Sequence, residues 1–521
     1  MALRSTFMGF ETASRGLMIN QKAMDIVGNN VANIGVTGYT RQRLDQISMA
    51  LNFKDTRFVN QKSLAGQGAT IAGISQIRDQ FLDKRFREEY GDVGYYQTIS
   101  TALKDVDSAL QEIEPEQMMV ALSEFRQALG EMFKNSGSDG VSGSAVRANA
   151  SVVAQVMNQL YVKLDNVWEQ QYFDLSINVD EANKKLASIA AYNNAIRLEQ
   201  KAIDYSNHGY YGPNELIDQR NVLLDDLSSF GDVEVIHNLD GTVDVKMNGH
   251  MVVKDDTYEQ IILTEGNGEN TVRLNWSSTG ESIHLKTGIL KASTDLLNGR
   301  GLNAKQDRDE CTYNGILFYQ DKINNLATVF AKEMNNIIIM ADEEGNPLKD
   351  KDGNIVYKKL FDFGWEYNEK GEKVPREENA KNIQIVDEWQ NEVSYLYDGI
   401  DRDGMEDTNY LEPLIDKLFG KDATVSFGNG EFVGSFTGYV TYYTTTLLGT
   451  QTSAAEDRLS ECTAVSNNLL DRIASTSGVN LNEEAADQMM YQKAYDAMSR
   501  VMTAMDDLLD KLINGTGRCG L

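Results

Sequence analysis

Both ends of this 521-residue chain carry apolar residues at heptad spacing, and that pairing limits what the chain can fold into. Near the N-terminus Leu3, Phe7, Phe10, Leu17, Met24 and Val31 follow one 4-3 ladder, with Ser14, Gln21 and Gly28 in its gaps. Near the C-terminus Tyr491, Ala494, Met498, Val501, Met505, Leu508 and Leu512 repeat the spacing with no polar gap. A seam of this kind needs a partner helix. The other end of the same chain is the nearest partner, and a neighbouring copy is the next. The broken N-terminal seam fills poorly against one helix alone. Helices of roughly 30 residues are marginal unless packed against something large. The termini are therefore expected to be loose in the free chain and to order on assembly.

Between the seams the pattern changes several times. Residues 3–33 read as a helix that stops in an Asn- and Gly-rich run, and 41–76 read as short strands or an extended arm. Helical pattern returns over 77–134 and, after the break Asn135-Ser136-Gly137, over a long stretch near 144–204. A helix of that length is roughly 90 Å long at ~1.5 Å per residue, which suggests a rod. Val233, Val235, Val243, Val245, Met247, Met251 and Val253 then alternate with polar residues, and Asp240-Gly241 and Asn248-Gly249 are hairpin signals. Further strands fit 258–291, helix fits 306–340, and 341–440 is mixed and turn-rich. Helix resumes near 440, breaks at Ser477-Gly478, and restarts at Asn480 and Asn482 ahead of Glu483 and Glu484, acids that suit a helix start.

The fold class expected is α+β and multidomain: long terminal helices in a coiled-coil rod, with an inserted β-rich middle. Three units are expected. The first is a terminal helical core of 1–60 with 477–521. The second is a helical rod of 61–230 with 301–340 and 441–476. The third is a β-rich outer region of 231–300 with 341–440. A chain so arranged goes out and returns, so its ends meet.

Charge narrows the function. With 49 Lys+Arg against 78 Asp+Glu, the net charge is −29. Nucleic acid and anionic membrane surfaces need clustered positive charge, so neither is expected as a partner. Cys311, Cys462 and Cys519 are odd in number and far apart, which argues against a disulfide framework. Cys311 and Cys462 are expected to be buried in helical stretches. No signal peptide and no membrane span is read in the sequence, which taken alone implies a cytosolic chain.

Catalytic patterns are lacking. His208, His237, His250 and His284 are isolated, and P-loop, dinucleotide-binding, zincin and nucleophile-elbow motifs do not occur. No enzyme activity, cofactor or metal site is expected. Asp350-Lys351-Asp352-Gly353-Asn354 and Asp398-Gly399-Ile400-Asp401-Arg402-Asp403-Gly404 resemble pieces of calcium loops but lack the full ligand set, so they are read as turns.

Three motifs in order carry a family resemblance. Asn29, Asn30, Asn33, Gly38, Tyr39 and Arg41 form the first. Asp218, Gln219 and Arg220 lie in the second, after the long helix. Gly478, Glu483 and Glu484 lie in the third, with Asn482 where the family has Asp. This pattern resembles the flagellar axial proteins of rod, hook and hook-associated type, and the middle motif points to their hook–filament junction members. The resemblance implies a structural role: a junction ring, with the hook protein on one side and a second junction protein on the other. It implies a cytoplasmic export chaperone on the C-terminal seam, and exit through the flagellar export channel without a cleaved signal. Another axial subunit, or a surface adhesin acting through the middle region, are the alternative readings.

Overall fold

The computed structural model describes residues 6–49, 68–111, 115–134, 140–201, 212–340, 347–368, 372–396, 411–419, 425–428 and 431–515. Leu3, Cys519 and the acidic turn at 398–404 lie outside them, as does His208. Among the described residues no helix is long and apolar enough to cross a membrane.

Helix α1 (Thr6–Ala32) leads through a turn into strands β1 (Gln42–Ser48) and β2 (Ala69–Gln76), which pair antiparallel as short strands, the first of the two readings that the sequence offers there. Helices α2 (Gln80–Gln111), α3 (Pro115–Lys134) and α4 (Gly140–Lys201) follow, then α5 (Asn214–Ser228). Next comes a four-stranded antiparallel sheet of β3 (Val233–His237), β4 (Val243–Met247), β5 (His250–Lys254) and β6 (Thr257–Tyr258). A separate hairpin, β7 (Ile261–Glu265) and β8 (Val272–Trp276), precedes α6 (Ile289–Asn298) and α7 (Ile316–Asn335). The hairpin turn at Asn248-Gly249 has positive φ at both residues, which is why this pair joins β4 to β5.

Among the described residues the later middle region holds short strands and short helices, in keeping with its mixed, turn-rich sequence. Its strands β9 (Phe361–Asp362), β10 (Trp365–Tyr367), β11 (Lys373–Pro375), β12 (Gln384–Ile385), β13 (Val425–Phe427) and β14 (Phe432–Gly434) form two-stranded pairs. Short helices α8 (Asp387–Asn391), α9 (Leu411–Phe419) and α10 (Phe436–Val440) lie among them. The chain returns through a π-helical turn (Thr441–Leu447) into α11 (Leu448–Ser477) and α12 (Leu481–Asp510), and a last π turn spans Lys511–Gly515. The whole is α+β, 64% helical with small antiparallel sheets in its middle.

Helix α4 is the spine. Its stripe of Val153, Val156, Leu160, Leu164, Leu175, Ala182, Leu186, Ile189 and Ile196 is buried, and it packs on α2, α3, α5, α6 and α7. Returning helix α11 lies on α2 through Leu82, Phe86 and Leu469, and Lys104 pairs with Glu456 at 2.7 Å.

One device recurs at several places where a helix meets a strand. Asn193 of α4 donates to the Val243 carbonyl at 2.7 Å and accepts from the Val243 N–H at 3.1 Å. Asn183, Asn298 and Asn335 hold Ile261, Val272 and Phe361 in the same two-point way. Each held residue is the first of its strand. A carboxamide offers one donor and one acceptor side by side, so it completes the backbone pairing that a strand start lacks.

Asn193 is fully buried and also accepts from Arg220. Asn193→Leu is expected to strand the Val243 backbone groups and the guanidinium. Chemical denaturation should show a loss on the order of 3 kcal/mol. The same change at the exposed Asn482 should cost almost nothing.

Candidate functional site

The two chain ends meet at one polar junction. Helix α1 ends where Asn33 bonds back to the Asn29 carbonyl at 2.9 Å. Asn30, 1% exposed, then repeats the two-point device: it donates to the Gln42 carbonyl at 3.0 Å and accepts from the Gln42 N–H at 3.0 Å. Its amide also donates to Glu484 at 3.1 Å, and its oxygen accepts from the Tyr39 hydroxyl at 2.9 Å. Asn30 therefore fixes the motif loop and the first turn of α12 together.

Arg41 completes the junction. Its guanidinium reaches Glu484 at 2.6 Å, Glu483 at 2.7 Å and Asp487 at 3.2 Å. Glu484 is 1% exposed, so its charge depends on this pairing. Burial works against the Arg41 charge, but Glu484, Glu483 and Asp487 outweigh it and hold its pKa above the ordinary value. The Arg41 N–H donates to the Ser477 carbonyl at 2.8 Å, which ties the loop to the end of α11. Gly478 follows there because a Cβ would strike the Ala474 carbonyl.

The middle motif splits between two interfaces. Asp218 on α5 accepts from the Thr40 N–H at 3.1 Å and belongs to the junction. Gly38, with φ of 80°, lies against the same helix, where a Cβ would clash with Val222. Arg220 points the other way, to Asn193 at 3.0 Å and the Gly241 carbonyl at 2.8 Å. Burial, then Arg87 and Arg78, lower its pKa to about 10. Gln219 between them is exposed. Helix α5 thus brackets the junction to the α4 spine and the β3–β4 turn.

From the junction α1 and α12 run antiparallel, and the face they share differs from the N-terminal ladder. A Cβ at Gly16 would come within 3.0 Å of Met498, and one at Gly9 within 2.8 Å of Met505. Tyr491 packs on the cluster of Ile19, Ala23, Ile26, Leu44 and Ile74. Gly9, Gly16, Ala23 and Asn30 are seven apart on α1, as Glu484, Tyr491, Met498 and Met505 are on α12. Small residues at this spacing accept the methionines, so one helix fills the seam. The ladder lies beside it: Phe10 and Val31 are exposed, and Leu17 and Met24 half-buried. On α12 Tyr491, Ala494, Met498 and Met505 are half-buried, joined by Tyr495, Met502 and Leu509, while Val501 and Leu508 stay 44% and 54% exposed. The side chains of Phe7 and Leu512 lie outside the described residues. The cap of α12 is Asn480, which accepts from the Asn482 N–H at 3.0 Å; Asn482 is already inside the helix.

Elsewhere the ionisable groups are occupied with one another. Asp350 accepts from the Asn354 N–H at 2.8 Å and from that of Asp352 at 2.9 Å, closing a turn with Gly353 at φ of 86°. His250 pairs with Glu259 at 2.7 Å and stacks on Trp276. A cavity of about 510 Å³ beside α6 is lined by Arg273, Lys291, Asp295 and Asp309, which pair as Arg273–Asp309 and Lys291–Asp295. Cys311 and Cys462 are half-buried rather than buried, and Cys311 precedes α7 instead of lying in it. Burial and then Asp295 push the Cys311 thiol up to about 12. Cys462 stands with Glu89 and Asp92, ligand atoms within 4.8 Å of one another; burial and then Asp92 raise its pKa.

Comparisons with known proteins match both chain ends and the segment between them. The family model described as the flagellar hook-associated protein FlgK helical domain covers residues 103–340. Two further models cover the ends that meet at the junction. These are the flagella basal body rod protein at 10–40 and the flagellar basal body rod FlgEFG protein C-terminal at 473–515. Flagellar hook-associated protein 1 of Bacillus subtilis (strain 168) is 28% identical over 99% of each chain. Over almost its whole length the chain is similar to the flagellar hook-associated protein 1 family. The Salmonella typhimurium relative of that name is 22% identical, covering 96% of this chain and 98% of its own. A solved flagellar hook junction protein FlgK from Burkholderia pseudomallei aligns with a TM-score of 0.42 and 16% identity, over 54% of this chain and 47% of that one. These matches support a structural component of the flagellar axis.

Two outcomes test the junction. Arg41→Ala leaves Glu484 buried and unpaired, and is expected to lower stability by about 3 kcal/mol in thermal denaturation, with Arg41→Lys recovering part. The second concerns pH. Burial raises the Asp218 carboxyl to about 6 from 3.8, against the bonds from Thr40 and the charge of Arg78. The folded chain therefore holds this proton more tightly than the unfolded chain. Its contribution is fully present below the unfolded value and is lost as pH rises through about 6. Asp218→Asn keeps an acceptor for Thr40 and removes the titration. Relative to the unchanged chain, the variant should gain on the order of 2–3 kcal/mol between pH 4 and pH 7.

Proposed function

We propose that copies of this chain form the junction ring between hook and filament, with α1 and α12 as its inner helical layer. The carrying observation is the apolar surface left after α1 and α12 have paired. Phe10, Met18 and Val31 on α1, and Met489, Met490, Val501 and Leu508 on α12, are exposed. Exposed apolar positions gathered on one helical pair mark an interaction surface. Covering a Leu, Met or Phe contributes about 1.5–3 kcal/mol, so neighbours offset much of the entropy of ordering these ends.

In this reading 1–60 with 477–521 form the inner core. Residues 61–230 with 301–340 and 441–476 form the rod. Residues 231–300 with 341–440 project outward. The hook protein and a second junction protein are the axial partners. A cytoplasmic export chaperone covers Val501 and Leu508 before the chain leaves through the flagellar export channel. An adhesive role of the outer region has Trp365 and Tyr367, both exposed on the β10–β11 hairpin, in its favour.

Val501→Asp with Leu508→Asp is expected to leave the melting temperature of the purified chain within ~2 °C, since surface changes away from packed contacts are small. The same pair should abolish swimming and filament attachment in a strain lacking its own copy. Normal motility with the double substitution would remove the ring assignment from this surface.

A further inference from the structure

Two parts of the chain meet at α5 without a shared apolar cluster. Ile19, Ala23, Ile26, Leu44 and Ile74 form one cluster with Tyr491, enclosed by α1, α12, β1 and β2. Leu224 and Leu227 of α5 belong to another, the large cluster around the α4 spine. The elements of the terminal part pack chiefly on one another. Its covalent links to the rod are the short segments 77–79 and 478–480. Its contact with α5 is close and polar. The Thr40 N–H donates to Asp218 at 3.1 Å, the Gln76 amide donates to the Asn214 carbonyl at 2.9 Å, and Gly38 lies against Val222.

That contact is incompletely bonded. Asp218 is 6% exposed, and its Oδ2 takes the Thr40 N–H. Its Oδ1 has no partner among the described residues, and neither has Nδ2 of Asn214, one turn earlier on α5. The charges around it do not make good the deficit. Arg78 is shared, at 2.6 Å with Asp83 and 3.6 Å with Asp225, and Asp225 also takes Arg87 at 2.7 Å. Arg41 of the docked loop is turned to Glu484, Glu483 and Asp487, and Glu215 on α5 is exposed. A carboxylate with one bare oxygen is unfavourable to bury, whereas the neutral acid still accepts from Thr40 and loses less on leaving water. Burial accordingly raises this carboxyl to about 6, against Thr40 and Arg78.

We propose that the α5 contact is a proton-operated latch, in which the terminal part docks on the rod while Asp218 is neutral and lifts from it when Asp218 ionises. The Asn30–Gln42 and Arg41–Glu484 bonds lie inside the terminal part, so the junction stays closed and only its hold on the rod changes. Arg220, on the other side of α5, keeps Asn193 and the Gly241 carbonyl in both states. The proton is exchanged in the open state, so Oδ1 need not be reached from solvent in the closed one. Because the docked state holds the proton more tightly, the latch is strongest below the unfolded value and weakens as pH rises through about 6.

Hydrogen exchange at the Thr40 N–H of the full free chain, divided by its intrinsic rate at each pH, tests this. Protection should fall at least tenfold between about pH 5 and pH 7.5, while the Val153 and Leu164 amides of the spine keep theirs. Asp218→Asn keeps an acceptor and cannot ionise, so Thr40 should stay at its acid level throughout. Asp218→Leu has no acceptor and should leave Thr40 poorly protected at both ends. Glu215→Gln, on the same helix, should change nothing. A Thr40 amide indifferent to pH in the unchanged chain overturns the latch. So does a fall that survives Asp218→Asn, that is lost in Glu215→Gln, or that Val153 and Leu164 share. The readout is the free chain, so its failure leaves the assembly reading standing, and loss of that reading leaves the latch standing.

Discussion

A helix-borne asparagine gripping the first residue of a strand is the contact on which this architecture depends. It occurs at Asn30–Gln42, Asn183–Ile261, Asn193–Val243, Asn298–Val272 and Asn335–Phe361. Packing between a helix and a small sheet is tolerant of sliding, because apolar contact has no direction. A paired donor and acceptor at the strand's first residue removes that freedom. The sheets so gripped are held at one register on their helix, and the two-stranded ones among them are not wide enough to be stable alone.

The junction is the same contact with charge added. Asn30 sets β1 on α1, and its amide also reaches Glu484, whose buried carboxylate takes Arg41. From there the α1–α12 pair extends, guided by Gly9 and Gly16 beneath Met505 and Met498. In the other direction Asp218 and Arg220, on opposite sides of α5, carry the junction to the α4 spine. Chain ends are thus coupled to the rod by two residues of one helix.

Much of this was legible in the sequence, for a reason that differs by element. Long helices follow from period, and α4 extends from 140 to 201 where the pattern suggests 144 to 204. The Asn248-Gly249 turn follows from backbone sterics. The motif residues Asn30, Tyr39, Arg41, Asp218, Gly478 and Glu484 all reach one place, which spacing alone does not reveal because they are hundreds of residues apart. The face that α1 turns to α12 is not the ladder of large residues at the N-terminus. Large side chains draw the eye to Phe10, Leu17 and Met24, whereas the contact face is marked by small ones, Gly9, Gly16 and Ala23. Asn183 and Asn193 were missed because asparagine inside a helix reads only as a weak helix former. Gln42 and Asp487 carry no sequence signal beyond their neighbours.

In the proposed assembly a single chain closes its ends through the junction and keeps a second apolar face for its neighbours. Hydrogen–deuterium exchange by peptide, on the free chain and on isolated flagella, tests it most directly. In the free chain, residues 26–42 and 477–491 should exchange slowly, and 6–16 and 498–510 fast. In flagella all four segments should be slow, with 150–196 unchanged. Equal exchange of the distal segments in both states would contradict the claim, since assembly would then cover nothing that the single chain leaves open.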